Sequence, residues 1–217
     1  MIPWYPEKEE PVSYNSLVFL KGACKGLSFN DTLHVINAAE ILHAGQVRKG
    51  SGEPYVNHPT MVTCQLFALG VREEPILSVG MGHDILEDCE TDADELRGRF
   101  GVEPATVERL RLMVHHPGQG WDEYMTPMYE DVALALPKIS DRCNNVSTMG
   151  GAFTTAKIRS YIEETETYII PLCKHAKRYW PQYSDAVFAM KYQILALTDT
   201  LTAVLDAQES SRALTAD

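Results

Sequence analysis

The stretch Met81-Gly82-His83-Asp84-Ile85-Leu86-Glu87-Asp88 constrains this chain more than any other. An adjacent His-Asp pair followed by Glu-Asp puts four metal-capable or proton-handling side chains into about one and a half helical turns. The preceding segment, Pro75 to Gly82, is mostly apolar and small. The polar cluster is therefore expected at the end of a buried helix. Burying charge without a partner is costly, and a metal ion is the commonest partner for such a set. An N-cap or an acidic surface turn is the blander alternative, and for a lone His-Asp dipeptide the commoner one. The rest of the chain decides between them.

At 217 residues the chain suits one domain, or one domain with a helical appendage, and can bury a substantial core. Its formal charge of −11 argues against broad electrostatic binding to nucleic acid or an anionic membrane surface. A small anionic substrate remains compatible with that charge where local Lys, Arg or a metal supplies the attraction. The five cysteines (24, 64, 89, 143 and 173) form no CxxC pair, so neither a disulfide framework nor a thiolate zinc site is expected. The first ten residues lack the layout of a secretion signal, and no apolar run approaches the ~18 residues of a membrane span. A soluble, cytoplasmic protein with reduced thiols is the expectation.

Helical spacing dominates, and short alternating apolar runs are absent. Residues 1–30 read as an irregular, proline-rich lead-in over 1–11 and a first helix over Ser13 to Leu27. A main domain is expected over 31–180, and a C-terminal helix and tail over 181–217. Asn30-Asp31-Thr32 looks like a self-capped helix start. Pro59 suits the first turn of a helix with His58 beside its cap. One helix is expected from Glu73 to about Leu86, and shorter ones over Glu95 to Phe100 and Pro104 to Val114. His115 and His116 read as loop surface. Pro137 should kink or interrupt a helix over Tyr129 to Asn145. A stretch from Thr154 to Arg178 should break near Pro171. In the last helix, Val187, Met190, Ile194, Leu197, Leu201 and Val204 make a heptad-like seam ending in a frayed tail after Glu209. Packing on its own domain is the expected use of that seam; a homo-oligomer interface is the lesser alternative.

Three further features bear on function. The loop from Gln46 to Pro59 gathers Arg48, Lys49 and Ser51 beside glycines, which suits an anion or base contact as well as a plain basic turn, and only this loop could hold a minimal hairpin. Lys138, Asp141 and Asn145 share one face of a mostly apolar helix, where a polar stripe needs a reason. Finally, His58, His83, Asp84 and Asp141 offer two imidazoles and two carboxylates. That set suits a single divalent first-row ion with positions open for water and substrate. Glu87 and Asp88, just beyond, could orient the water or carry its proton.

These residues resemble the HD-domain hydrolases, and within them the RelA/SpoT-type alarmone hydrolases, including the small single-domain ones. The matching pieces are Ala44-Gly-Gln-Val-Arg-Lys, Ser51-Gly-Glu-Pro-Tyr-Val-Asn-His-Pro, His83-Asp-Ile-Leu-Glu-Asp and Lys138-Ile-Ser-Asp-Arg with Asn145. A weaker match runs through Tyr161-Ile-Glu-Glu-Thr and Pro171-Leu. The likeness covers about residues 31 to 180. It implies an all-α helical bundle, here with an additional C-terminal helix. It also implies metal-dependent removal of the 3′-pyrophosphate of guanosine tetra- or pentaphosphate, (p)ppGpp. Carried over by motif, His58, His83, Asp84 and Asp141 would hold the metal, usually Mn²⁺. Glu87 and Asp88 would be the catalytic pair. Arg48, Lys49, Ser51, Lys138, Asn145 and Thr148 would meet the substrate. Asn144 stands where His is common in the family, and Cys89 where Thr is. The alternatives are hydrolysis of another phosphorylated nucleotide and a non-catalytic nucleotide sensor.

Overall fold

The structure is a computed structural model that describes residues 12–214. The lead-in expected over 1–11 lies outside the described residues. In chain order the α-helices are α1 (Val12–Leu27), α2 (Asn30–Leu42), α3 (Asn57–Ala68), α4 (Glu74–Gly82), α5 (Ile85–Asp88) and α6 (Ala93–Gly98). They continue with α7 (Pro104–Met113), α8 (Trp121–Met125), α9 (Val132–Thr148), α10 (Thr155–Glu164), α11 (Ile170–Tyr179) and α12 (Ser184–Leu214). The fold is all-α. Among the described residues there is no strand, and the expected hairpin is a single bridge between Val47 and Pro54.

The core is built around α4, which packs against α2, α3, α7 and α9. Every residue of α4 from Ile76 to Gly82 is buried, as its apolar sequence requires. Gly82 is needed for this closeness: a Cβ there would stand 2.9 Å from Val35 Cγ1 and 3.0 Å from Leu110 Cδ1. A side chain there would force Val35 and Leu110 to shift.

The helix expected over Glu73 to Leu86 is in fact two. It turns at His83 and Asp84, which separate α4 from α5. The start of α2 also differs from expectation, because no local side chain caps it. Instead Glu74 Oε1 accepts from the backbone N–H groups of Asp31 (2.7 Å) and Thr32 (3.2 Å). Asp31 is thereby free to accept from the Glu103 N–H (2.8 Å) and Thr106 hydroxyl (2.6 Å) at the start of α7. Each helix start is held by a carboxylate from elsewhere in the core, which ties α2, α4 and α7 together.

Pro137 neither breaks nor ends α9, which runs unbroken from Val132 to Thr148. Packing of α9 against α3, α4 and α12 outweighs the backbone hydrogen bond that proline forfeits. The expected break near Pro171 takes the form of a π-helical turn over Thr165–Ile169. There the Arg142 guanidinium donates to Tyr161 O (3.3 Å) and Thr165 Oγ1 (3.2 Å). A side chain inserted at such a turn satisfies carbonyls that leave the regular ladder. The last helix packs along α9 and α11 with Val187, Met190 and Ile194 buried. Further along, the seam moves from Val204, 47% exposed, to Leu205, 5% exposed. The helix continues past Glu209 to Leu214 rather than fraying.

Candidate metal centre and adjoining cleft

Four residues from three separated segments converge beside α4. His58 lies in the first turn of α3, His83 and Asp84 form the turn after α4, and Asp141 projects from the middle of α9. His58 Nε2 stands 3.2 Å from His83 Nε2, 3.4 Å from Asp84 Oδ2 and 3.1 Å from Asp141 Oδ1. His83 Nε2 lies 3.2 Å from Asp84 Oδ1 and 3.6 Å from Asp141 Oδ1. Candidate ligand atoms of His58, His83 and Asp84 all fall within 4.8 Å of one another.

The imidazole orientations have a physical cause. His83 Nδ1 faces the Gly80 carbonyl at 2.8 Å, and His58 Nδ1 faces Asn144 Oδ1 at 2.8 Å. Both acceptors lack a proton, so each Nδ1 must be the donor. The neutral rings then present Nε2 lone pairs toward each other and toward two carboxylates. Such a set repels itself unless a cation or shared protons sit among its atoms. The donor chemistry fits a divalent first-row ion.

The cluster draws positive charge, whether as a cation or as protons. Burial alone would lower the basicity of His83, but Asp84 and Asp141 outweigh it and raise its pKa to about 9. Burial would raise Asp141, yet His58, His83 and Lys138 hold its carboxyl well below the ordinary range. Lys138 Nζ lies 3.6 Å from Asp141 Oδ2 and 5.1 Å from the centre of the Tyr124 ring. It faces this buried side rather than the cleft.

Glu87 and Asp88 point different ways. Burial and the Asp84 charge raise the Glu87 carboxyl above its usual range, and Lys138 opposes them. Asp88 faces the cleft side, where Tyr55 donates its hydroxyl to Asp88 Oδ2 at 2.6 Å. Asp84 Oδ2 is 2.9 Å from the same hydroxyl. The Tyr55 ring stacks on buried His43, centroids 5.0 Å apart, whose Nδ1 lies 2.8 Å from Gln46 Oε1.

Outside this cluster opens a cleft of about 830 Å³, whose walls include His58 and Asp88. Of the expected substrate contacts, Arg48, Lys49, Ser51, Asn145 and Thr148 line it; Lys138 does not. Lys157 and Phe153 also line it, with Lys157 Nζ 4.2 Å from the Phe153 ring centre. Arg48 is more engaged than a free anion contact. It donates to Asn144 Oδ1 (3.0 Å) and Asn145 Oδ1 (2.7 Å), while Asn145 Nδ2 donates to Asp141 Oδ1 (2.6 Å). Gly50 (φ +97°) lets the loop pass tightly over Ala152, where an added Cβ would meet the Ala152 Cβ at 2.7 Å.

Tyr55, Asn144 and Lys157 are the members that reading the sequence missed. Tyr55 sits within the Ser51 to Pro59 motif, and Asn144 directly precedes Asn145, so position alone could have marked both. Nothing in the sequence around Lys157 marks it.

No family model matches the chain. Among curated proteins it is 31% identical over 140 residues to a probable guanosine-3′,5′-bis(diphosphate) 3′-pyrophosphohydrolase of Synechocystis, covering 60% of this chain and 18% of that protein. It is also 31% identical over 134 residues to the guanosine-3′,5′-bis(diphosphate) 3′-pyrophosphohydrolase of Aquifex aeolicus, covering 59% of this chain and 19% of that protein. The chain thus spans about a fifth of the length of these relatives. A solved structure described as a metazoan ortholog of SpoT that hydrolyzes ppGpp superposes with a TM-score of 0.59 at 16% identity. That match covers 78% of this chain and 94% of the other, and shows a shared fold.

Proposed function

We propose that this chain is a metal-dependent phosphohydrolase that removes the 3′-pyrophosphate of (p)ppGpp, releasing GDP or GTP and pyrophosphate. The observation that carries this reading is the convergence of His58, His83, Asp84 and Asp141 at the wall of a nucleotide-sized cleft. Its likeness to the curated 3′-pyrophosphohydrolases supports the substrate. The four residues are the proposed metal ligands, and Mn²⁺ suits their mixed nitrogen and oxygen donors. A bound divalent cation would supply a lowered pKa for water and charge neutralisation at a phosphoryl oxygen.

The chain's own residues supply the rest. Glu87 and Asp88 are the proposed acceptors for the proton of the attacking water, at a carboxylate oxygen. The raised basicity of Glu87 suits that role. Tyr55 holds Asp88 in one orientation from the cleft side. Lys49 and Ser51 are proposed to meet phosphate groups, with Asn145 and Thr148 at the nucleoside. Arg48 contributes the outer face of a guanidinium already tied to two asparagines. In the reaction the bond from the ribose 3′-oxygen to phosphorus breaks, water oxygen bonds that phosphorus, and the 3′-oxygen leaves with a proton.

Among the described residues no helix is long and apolar enough to cross a membrane. The cysteines described are free thiols, which supports a cytoplasmic setting. A panel of phosphorylated nucleotides incubated with Mn²⁺ tests the substrate. Preferential turnover of ppGpp is expected. Rapid turnover of a different nucleotide with ppGpp untouched would replace the substrate but keep the metal chemistry.

A further inference from the structure

We propose that Asn144 is the positioning residue for His58, and that Arg48 holds its amide in the orientation this requires. The inference rests on the metal reading above and concerns how this chain prepares one ligand. His58 Nδ1 and Arg48 Nη1 both converge on Asn144 Oδ1, at 2.8 and 3.0 Å. A guanidinium has only donors, so the atom facing it must be the amide oxygen. The same oxygen can accept from His58 only if the proton sits on Nδ1. The Nε2 lone pair is then left facing His83, Asp84 and Asp141. Arg48 thus determines which way round the amide lies, the amide determines the tautomer, and the tautomer makes His58 a ligand.

His83 needs no such device, because the Gly80 carbonyl in the last turn of α4, just before it, takes its Nδ1 proton. His58 sits in the first turn of α3, and its Nδ1 acceptor comes from α9 instead. Arg48 spans both asparagines, and Asn145 in turn donates to Asp141. A cleft residue is therefore linked through one amide each to two of the four proposed ligands.

The test is calorimetric titration of Mn²⁺ into the purified full chain without nucleotide, alongside ¹⁵N NMR of the His58 tautomer. Removing such an outer partner typically weakens metal binding about 10- to 100-fold. Asn144→Leu is expected to do so and to give a mixed His58 tautomer. Asn144→Asp, which keeps an oxygen acceptor for both donors, should restore binding to within a few-fold. Arg48→Met leaves Asn144 in place. It should weaken binding less and also mix the tautomer, and it serves as the test where the leucine variant does not fold. A folded Asn144→Leu chain, or failing that Arg48→Met, with unchanged affinity and an unmixed tautomer would overturn the inference while leaving the metal reading standing. Absence of Mn²⁺ binding by the unaltered chain would overturn both.

Discussion

The Tyr55 hydroxyl donates to Asp88 Oδ2 at 2.6 Å, with Asp84 Oδ2 2.9 Å away on its other side. One proton serves two carboxylates, one proposed as a metal ligand and one as a proton carrier. Burial and both carboxylates push the Tyr55 pKa far up, so the hydroxyl keeps its proton across the working range. A hydrogen bond to a charged group is worth roughly 1.5–3 kcal/mol, or about 10- to 100-fold in rate. Tyr55→Phe should therefore lower kcat by about that factor while metal content stays at the wild-type level. Steady-state kinetics with elemental analysis checks this, and an unchanged kcat would remove Tyr55 from the chemistry.

Asp84 and Glu87 lie one turn apart but should behave oppositely. Asp84 faces both imidazoles, at 3.2 and 3.4 Å, whereas Glu87 stands outside that cluster. Asp84→Ala is expected to lose both metal and activity. Glu87→Ala should keep the metal and lose turnover by about 100-fold or more, the usual scale for a general base. Retention of metal by the Asp84 variant would take Asp84 out of the ligand set.

The pH dependence has a defined sign. Burial and Asp84 raise the Glu87 pKa, and Lys138 lowers it. Glu87 must be ionised to accept a proton, so activity should be lost as pH falls through a value above the ordinary glutamate pKa of about 4.3. Replacing Lys138 with Met removes the cation that favours the ionised form. The acid limb of kcat/KM should then move to higher pH. A limb that stays in place or moves down would show that Glu87 does not set it.

Gly50 offers a test of the loop that walls the cleft. Its φ of +97° and the 2.7 Å approach to Ala152 Cβ exclude a larger residue without moving the loop. Gly50→Val should cost about 1–3 kcal/mol locally and displace Arg48, Lys49 and Ser51. A raised KM is expected, together with metal binding weakened as for Arg48→Met, because Arg48 moves with the loop. An unaltered KM in a folded variant would mean that this loop does not bind substrate.

Much of this arrangement was legible from local pattern. Pro59 marked the start of α3 with His58 beside its cap, and the apolar run of α4 placed the His83–Asp84 pair at the end of a buried helix, though not the turn that parts α4 from α5. The spacing of Lys138, Asp141 and Asn145 gave one face of α9, where the ion pair and hydrogen bond between them are found. What escaped reading depends on partners far away in the chain. Glu74 caps α2 from 43 residues on, which no local capping pattern around Asn30 reveals. Pro137 stays helical because α3, α4 and α12, among others, pack against α9, a tertiary effect that overrides backbone preference. The Arg48–Asn144–His58 chain spans contacts 96 and 86 residues apart.

The most direct measurement is pyrophosphate release from ppGpp by the purified chain, in Mn²⁺ and in excess chelator. One pyrophosphate and one GDP per ppGpp, formed with Mn²⁺ and abolished by chelator, is the predicted result. A folded chain with stoichiometric Mn²⁺ bound and no pyrophosphate released would contradict it.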